Sequence, residues 1–274
     1  MEFLARRLAP PRPDAVRSLR PFPFARALRP FVTAAVLLGL WWLAVLVFRP
    51  APWLLPSPLA VAETVWSQAG YLAHHAGVTA LEIVLGLLAG TALGAATAIL
   101  VHLWRPLRRW LMPLVVSSQA LPVFAVAPLL MIWFGLGLGS KVAMATLIIY
   151  FPVASALNDG LERVPREYVD LGRVMGLSDR EMLWRVRLPA AMPALASGLR
   201  VAATVAPIGA VVGEWVGAAG GLGFVMTQSN ARLQTDMTFA ALAVLVLLVL
   251  VLRAAVNLAL DRIVFWSPKT DGTP

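Results

Sequence analysis

Residues 238–260 are nearly pure Leu, Val and Ala, and Arg253 is the only charge among them. About 20 apolar residues in a row are enough to cross a bilayer as a helix. In hydrocarbon the backbone must satisfy its own hydrogen bonds, which a helix does within one segment. Five further runs read the same way: 31–48, 78–101, 111–134, 142–157 and 190–212. The expected fold is an all-α integral membrane protein with about six transmembrane helices. Bulk properties agree: 59% of the 274 residues are hydrophobic, 14% are charged and the mean hydropathy is +0.78. An ordinary soluble domain carries about 25% charged residues. There is no cysteine, so disulfides, thiol chemistry and Cys-ligated metals are excluded.

The formal net charge of +9 is distributed by side of the membrane. Of 23 Lys and Arg, 7 lie in 1–30, 3 in 102–110, 6 in 159–190 and 2 in 261–274. The alternate loops hold only Arg49, Lys141 and Arg232, while Arg200 and Arg253 fall inside spans. This asymmetry places the basic loops and both termini in the cytoplasm of a multi-pass inner-membrane protein. The charge reports orientation and gives no reason to expect a nucleic-acid partner. The expected organisation is an Arg/Pro-rich, poorly ordered cytoplasmic tail (1–30), a transmembrane domain (31–265) and a short cytoplasmic tail (266–274). No small-residue cleavage site follows the first run, so it reads as an uncleaved span.

Within the spans, Gly86, Gly90 and Gly94 recur every fourth residue, a stripe that lets another helix approach closely. Glu82 lies about one turn inside its span. It is either a carboxylate eased by the helix N-terminus and nearby water, or part of a path for solute. In the third run, Ser117, Ser118 and Gln119 precede Pro122 and Pro128. Polar groups and helix breaks thus coincide at membrane depth, where irregular backbone survives when it is buried in protein or faces water. This helix is expected beside the path, or else as a kinked packing helix. Arg200 lies deep and is expected to reach the inner interface or an acidic partner. Glu214 opens a glycine-rich external segment, 214–236, read as a turn at the mouth of the path.

The charged loop 159–189 carries the most local information. Pro165 suits the start of a helix. Tyr168, Leu171 and Met175 share a face, and Gly176 can end the helix in a left-handed conformation. Ser178 and Glu181 have capping-box spacing, so a second short helix begins there, with Glu181 and Arg185 paired and Pro189 limiting it downstream. This helix–turn–helix is either a solvated loop or a docking element for a soluble partner. A DNA-reading role conflicts with its tethering to the bilayer at both ends.

The loop resembles a known signature. Asp170-Leu171-Gly172, three residues, Gly176, nine residues, then Val186-Arg187-Leu188-Pro189 is similar to the EAA loop of ABC importer permeases, EAA-x3-G-x9-I-x-LP. Asp170 stands for the usual Glu, Leu171 and Gly172 for the two alanines, and Val186 for Ile. LPSP at 55–58, LPVFAVAPLLMIWFGLGLGSK at 121–141 and GEWVGAAGGLGF at 213–224 resemble the nitrate, taurine and sulfonate branch. TALEIVLGLLAG and NARLQTDMTFAAL look closest to permeases for pyrimidine precursors of thiamine.

The resemblance implies a type I importer permease architecture with a cytoplasmic coupling-helix hairpin. It implies two permease copies (a homodimer), ATPase subunits on the cytoplasmic side and an extracytoplasmic substrate-binding protein. The coupling loop would use Tyr168, Asp170, Leu171, Gly172, Gly176, Leu183, Trp184, Val186, Leu188 and Pro189, with Tyr168, Leu171, Leu183 and Trp184 as the apolar contact. The cargo implied is a small organic solute: a pyrimidine precursor of thiamine first, with nitrate, taurine, sulfonates or riboflavin-like solutes as alternatives.

The chain has no motor of its own. Gly135–Gly139 ends in Ser140-Lys141, where a phosphate loop needs Gly-Lys-Ser/Thr, so ATP and Mg belong on a partner. Gly217, Gly220, Gly221 and Gly223 lack the strand and the spacing of a dinucleotide fingerprint. His74, His75 and His102 have no metal-site spacing. No cofactor, metal or catalytic residue is expected. The second hypothesis is an ion-coupled secondary transporter working without an ATPase, although the sequence shows no paired intramembrane carboxylates of the kind such a carrier uses.

Overall fold

The computed structural model describes residues 23–118 and 122–266, and every regular element among them is helical. The chain divides into two units, Met1–Pro50 and Ala51–Pro274. The first contains α1 (Pro23–Phe48), whose Phe31–Phe48 stretch has a mean hydropathy of 2.4 and is long enough to span. Residues 1–22, 119–121 and 267–274 lie outside the described residues, and with them most of the expected N-terminal tail, the expected C-terminal tail and Gln119.

The second unit begins with α2 (Pro58–Ser67), which explains the LPSP stretch. Ser57 is its N-cap, accepting the Ala60 N–H at 3.2 Å, and Pro58 occupies the first turn, where no N–H is needed. Next come α3 (Ala69–Leu103), α4 (Arg105–Ser117), α5 (Val123–Phe134), α6 (Leu138–Glu162) and α7 (Arg166–Val174). They are followed by α8 (Asp179–Met182), α9 (Leu188–Gly217), α10 (Leu222–Ala231) and α11 (Thr235–Ile263).

The centre of this unit is α6, packed between α3 and α9. The predicted glycine stripe is the reason α3 comes so close. A Cβ on Gly86 would meet Ala145 Cβ at 2.3 Å, one on Gly90 would meet Ile149 Cγ2 at 2.6 Å, and one on Gly94 would meet the Tyr150 carbonyl at 2.9 Å. On the opposite side, the Ala202, Ala206 and Ala210 face of α9 packs on the same helix, and Ile83, Ala145, Ile149 and Val153 complete the core. Lipid supplies no hydrophobic drive between helices, so close backbone approach and dispersion contacts hold this layer together. Near the inner ends, Ala98, Leu157, Leu161, Leu183 and Ala191 form a second cluster. α11 packs through Leu260 and Val264 on Ala196, while Leu247, Leu250, Val251 and Leu258 remain exposed for lipid.

Two expectations need correction. The third run is not one helix: α4 and α5 replace it, with Pro122 in an extended conformation between them (ψ 119°). Proline lacks the N–H a continuous helix would need. At 1.5 Å per residue the 12-residue α5 is too short to cross alone. Among the described residues five helical stretches are long and apolar enough to span, and the α4–α5 pair stands where the sixth was expected. Pro189, secondly, does not end a helix. It sits in the first turn of α9, which continues from α8 through a π-helical turn at Leu183–Arg187. The missing Pro189 N–H leaves the Arg185 carbonyl without its α-helical donor, and the Leu188 N–H bonds five residues back to Leu183.

Candidate functional site

The hairpin is built by local chemistry. Leu177 N–H bonds to the Gly172 carbonyl at 3.0 Å and Gly176 N–H to the Arg173 carbonyl at 2.9 Å, a Schellman end to α7. It requires Gly176 at φ +76°, where a Cβ would be strained. The capping box forms: Glu181 N–H bonds to Ser178 Oγ at 3.3 Å, and Ser178 N–H to Glu181 Oε2 at 3.1 Å. Gly172 is buried because Met182 crosses it, with Met182 Cε only 2.6 Å from where a Cβ would stand.

Tyr168, Leu171 and Trp184 are exposed, and so are Val174 and Met175, at 86% and 70%. Apolar side chains bared on a charged hairpin are what a docking face presents. Beside them a cavity of about 300 Å³ is lined by Leu171, Gly172, Val186, Pro189 and Trp266. Leu183 corrects the expected face: it is 1% exposed and packs on Leu157, Leu161 and Ala98. Adjacent residues of a helix point in different directions, and here Leu183 turns inward while Trp184 stays exposed. Leu188 packs beside it at the edge of the same inner cluster. Asp170 is exposed and pairs with Arg173 at 3.4 Å. On the other side of the hairpin a cavity of about 920 Å³ holds the ion pair of Arg108 with Glu162 at 2.5 Å and the contact of Arg187 with His102 at 2.8 Å.

The residues expected along a path separate into two places. Ser118 is half-buried and donates to the Val115 carbonyl at 2.7 Å. It lines a groove of about 630 Å³ with Ser155, Asp159, Ser197 and Gly198 from α6 and α9. Ser117 and Pro122 are exposed. Glu82 and Glu214 sit elsewhere, each 1% exposed. Glu82 on α3 lies 3.4 Å from Lys141 Nζ on α6. Glu214, in the last turns of α9, accepts the Thr79 hydroxyl at 2.6 Å and the Gly223 N–H at 2.5 Å. Lys141 also packs against Gly213, the chain neighbour of Glu214.

Sequence reasoning missed Lys141 as the ion-pair partner of Glu82 and Thr79 as the hydrogen-bond partner of Glu214. The available signal was a lysine at the external start of one apolar run, matching an acid at similar depth in another. Arg200 does find the acidic partner expected of it, Asp261 on α11 at 3.0 Å. Among the described residues no group of three His, Cys, Asp or Glu is placed to hold a metal ion.

A layer of long apolar helices around α6, interrupted by a charged hairpin with a bare apolar face, defines a membrane transport domain. The particular family follows from residues 83–265, which match the binding-protein-dependent transport system inner membrane component family; the chain belongs to it. It is 47% identical over 242 residues to a probable ABC transporter permease protein of Haemophilus influenzae, covering 88% of this chain and 98% of that one. It is 32% identical over 245 residues to the formylaminopyrimidine transport permease protein ThiX of Halalkalibacterium halodurans, covering 89% and 98%. The fold is that of a chain in the inward-facing MetNI methionine ABC transporter, with a TM-score of 0.62 at 21% identity, covering 73% of this chain and 97% of that chain.

Proposed function

We propose that this permease imports a small organic solute, a pyrimidine precursor of thiamine by first choice, driven by ATPase subunits that grip the α7–α8 hairpin. The observation that carries the reading is mechanical. The exposed face of Tyr168, Leu171 and Trp184 lies on a hairpin whose second helix runs without a break into α9. A push on that face is therefore transmitted to a helix of the central layer as a rigid-body movement. Two copies pair, an extracytoplasmic binding protein delivers the solute, and both termini lie in the cytoplasm. The path follows the groove that Ser118 shares with Ser155 and Ser197. The kinship with ThiX supports the pyrimidine cargo; nitrate, taurine, sulfonates and riboflavin-like solutes are its competitors.

Two experiments test this. Co-purification of the ATPase in detergent should fall sharply with Leu171→Glu, and undiminished recovery would remove the docking role. Calorimetry of the companion binding protein against formylaminopyrimidine, riboflavin, taurine and nitrate assigns the cargo.

The burial of two acids, Glu82 and Glu214, favours a second reading, ion-coupled transport. Against it, Glu214 is already occupied by Thr79 and Gly223, and neither carboxylate lines the Ser118 groove. Uptake by the purified chain in liposomes under a proton gradient, without ATP, would support that second reading.

A further inference from the structure

The N-terminus of α10 has no cap of its own. Its N-cap position is Gly221, at φ +104°, and the first four N–H groups of the helix have no intrahelical partner. Three of them are met by buried side chains from other helices. Gly221 N–H donates to His75 Nδ1 at 3.0 Å, Leu222 N–H to Thr79 Oγ1 at 2.8 Å, and Gly223 N–H to Glu214 Oε2 at 2.5 Å. The Thr79 hydroxyl donates to Glu214 Oε1, so the cap from α3 and the cap from α9 are bonded to each other. The glycines make the approach possible: a Cβ on Gly221 would lie 2.0 Å from Glu214 Oε1, and one on Gly223 would lie 2.7 Å from Oε2.

We propose that Glu214 and Thr79 are positioning residues that fasten α10 to α3 and α9 as one rigid unit, which stays fastened throughout the transport cycle. This rests on the importer reading given above. Release of α10 would strand three N–H donors and a carboxylate in a site where Leu222, Val225 and Glu214 are all buried. Movement that opens the external side therefore carries α10 along with α3 and α9 and does not lift it off them.

Hydrogen–deuterium exchange of peptides spanning 218–231, in the assembled permease–ATPase complex, tests both halves. Exchange should be slow and equal in the nucleotide-free complex and in the complex trapped with ATP and vanadate. Thr79→Ala and Glu214→Gln should accelerate exchange there, whereas Thr79→Ser, which keeps the hydroxyl, should preserve the wild-type rate. A general loss of structure would also raise exchange along α6 and would not be rescued by serine. Faster exchange of 218–231 in the trapped wild-type complex overturns the permanent fastening, and unchanged exchange in Thr79→Ala overturns the cap. If no complex forms or ATP is not hydrolysed, the importer reading fails; the variant comparison on the isolated permease still decides the cap.

Discussion

Gly90 of α3 lies against Ile149 of α6 so closely that a Cβ on the glycine would stand 2.6 Å from Ile149 Cγ2. The neighbour is a β-branched side chain in the packed core, with one preferred rotamer in a helix and little room to turn away. Gly90→Val should therefore destabilise the permease by about 1–3 kcal/mol or more through overpacking. A fall in the thermal unfolding midpoint in detergent is the measurement. Gly77→Ala, on the same helix with nothing within 4 Å, is the control. It should be neutral or stabilising by up to about 1 kcal/mol.

Leu171 and Leu183 should behave oppositely, although both belong to the hairpin. Leu171 is 59% exposed, so Leu171→Ala should leave the melting midpoint unchanged and weaken ATPase binding. Leu183 is 1% exposed within the inner cluster. Leu183→Ala should cost about 2–5 kcal/mol of stability by opening a cavity. Melting curves and ATPase co-purification on the same two variants separate the roles; a stable Leu183→Ala with lost ATPase binding would return Leu183 to the docking face.

The hairpin's own fold is open to test at its caps. Ser178→Ala removes the hydroxyl that accepts the Glu181 N–H and should cost about 0.5–2 kcal/mol locally. Gly176→Ala places a Cβ at φ +76° and should cost about 1–2 kcal/mol. Both losses should appear as faster amide exchange across 166–187, with exchange along α6 unaltered.

These contrasts show what was legible in the sequence. Gly176, Ser178 and Glu181 act on neighbours within a few residues, so spacing alone placed the hairpin's turn and both of its helices. Gly86, Gly90 and Gly94 announced a close approach, but the partner, α6, is chosen by long-range packing that no local pattern encodes. Leu183 was misplaced because hydrophobicity does not say which of two adjacent apolar residues turns inward. The continuity through Pro189 was hidden because a π turn removes the usual cost of proline. Most hidden was the cluster of Glu82, Lys141 and Glu214, whose members come from three helices; the Thr79–Glu214 bond alone joins positions 135 residues apart.

That cluster carries two acids and one base, and the inequality gives a sharp prediction. Removing Lys141 takes away the cation beside Glu82 and leaves two acids, Glu82 and Glu214, out of water without it. Lys141→Met should thus be clearly destabilising, by about 1–3 kcal/mol, the cost of leaving a buried polar group without its partner. Glu82→Gln leaves one acid and one base, and Glu82 is also the member with no aligned hydrogen bond to lose. It should be mild. The double variant Glu82→Gln/Lys141→Met should recover much of what Lys141→Met loses, because a single carboxylate, Glu214, then remains with its Thr79 and Gly223 donors. A double-mutant cycle on melting midpoints in detergent measures the coupling. Additive losses would mean that Lys141 acts by packing against Gly213 and not by its charge.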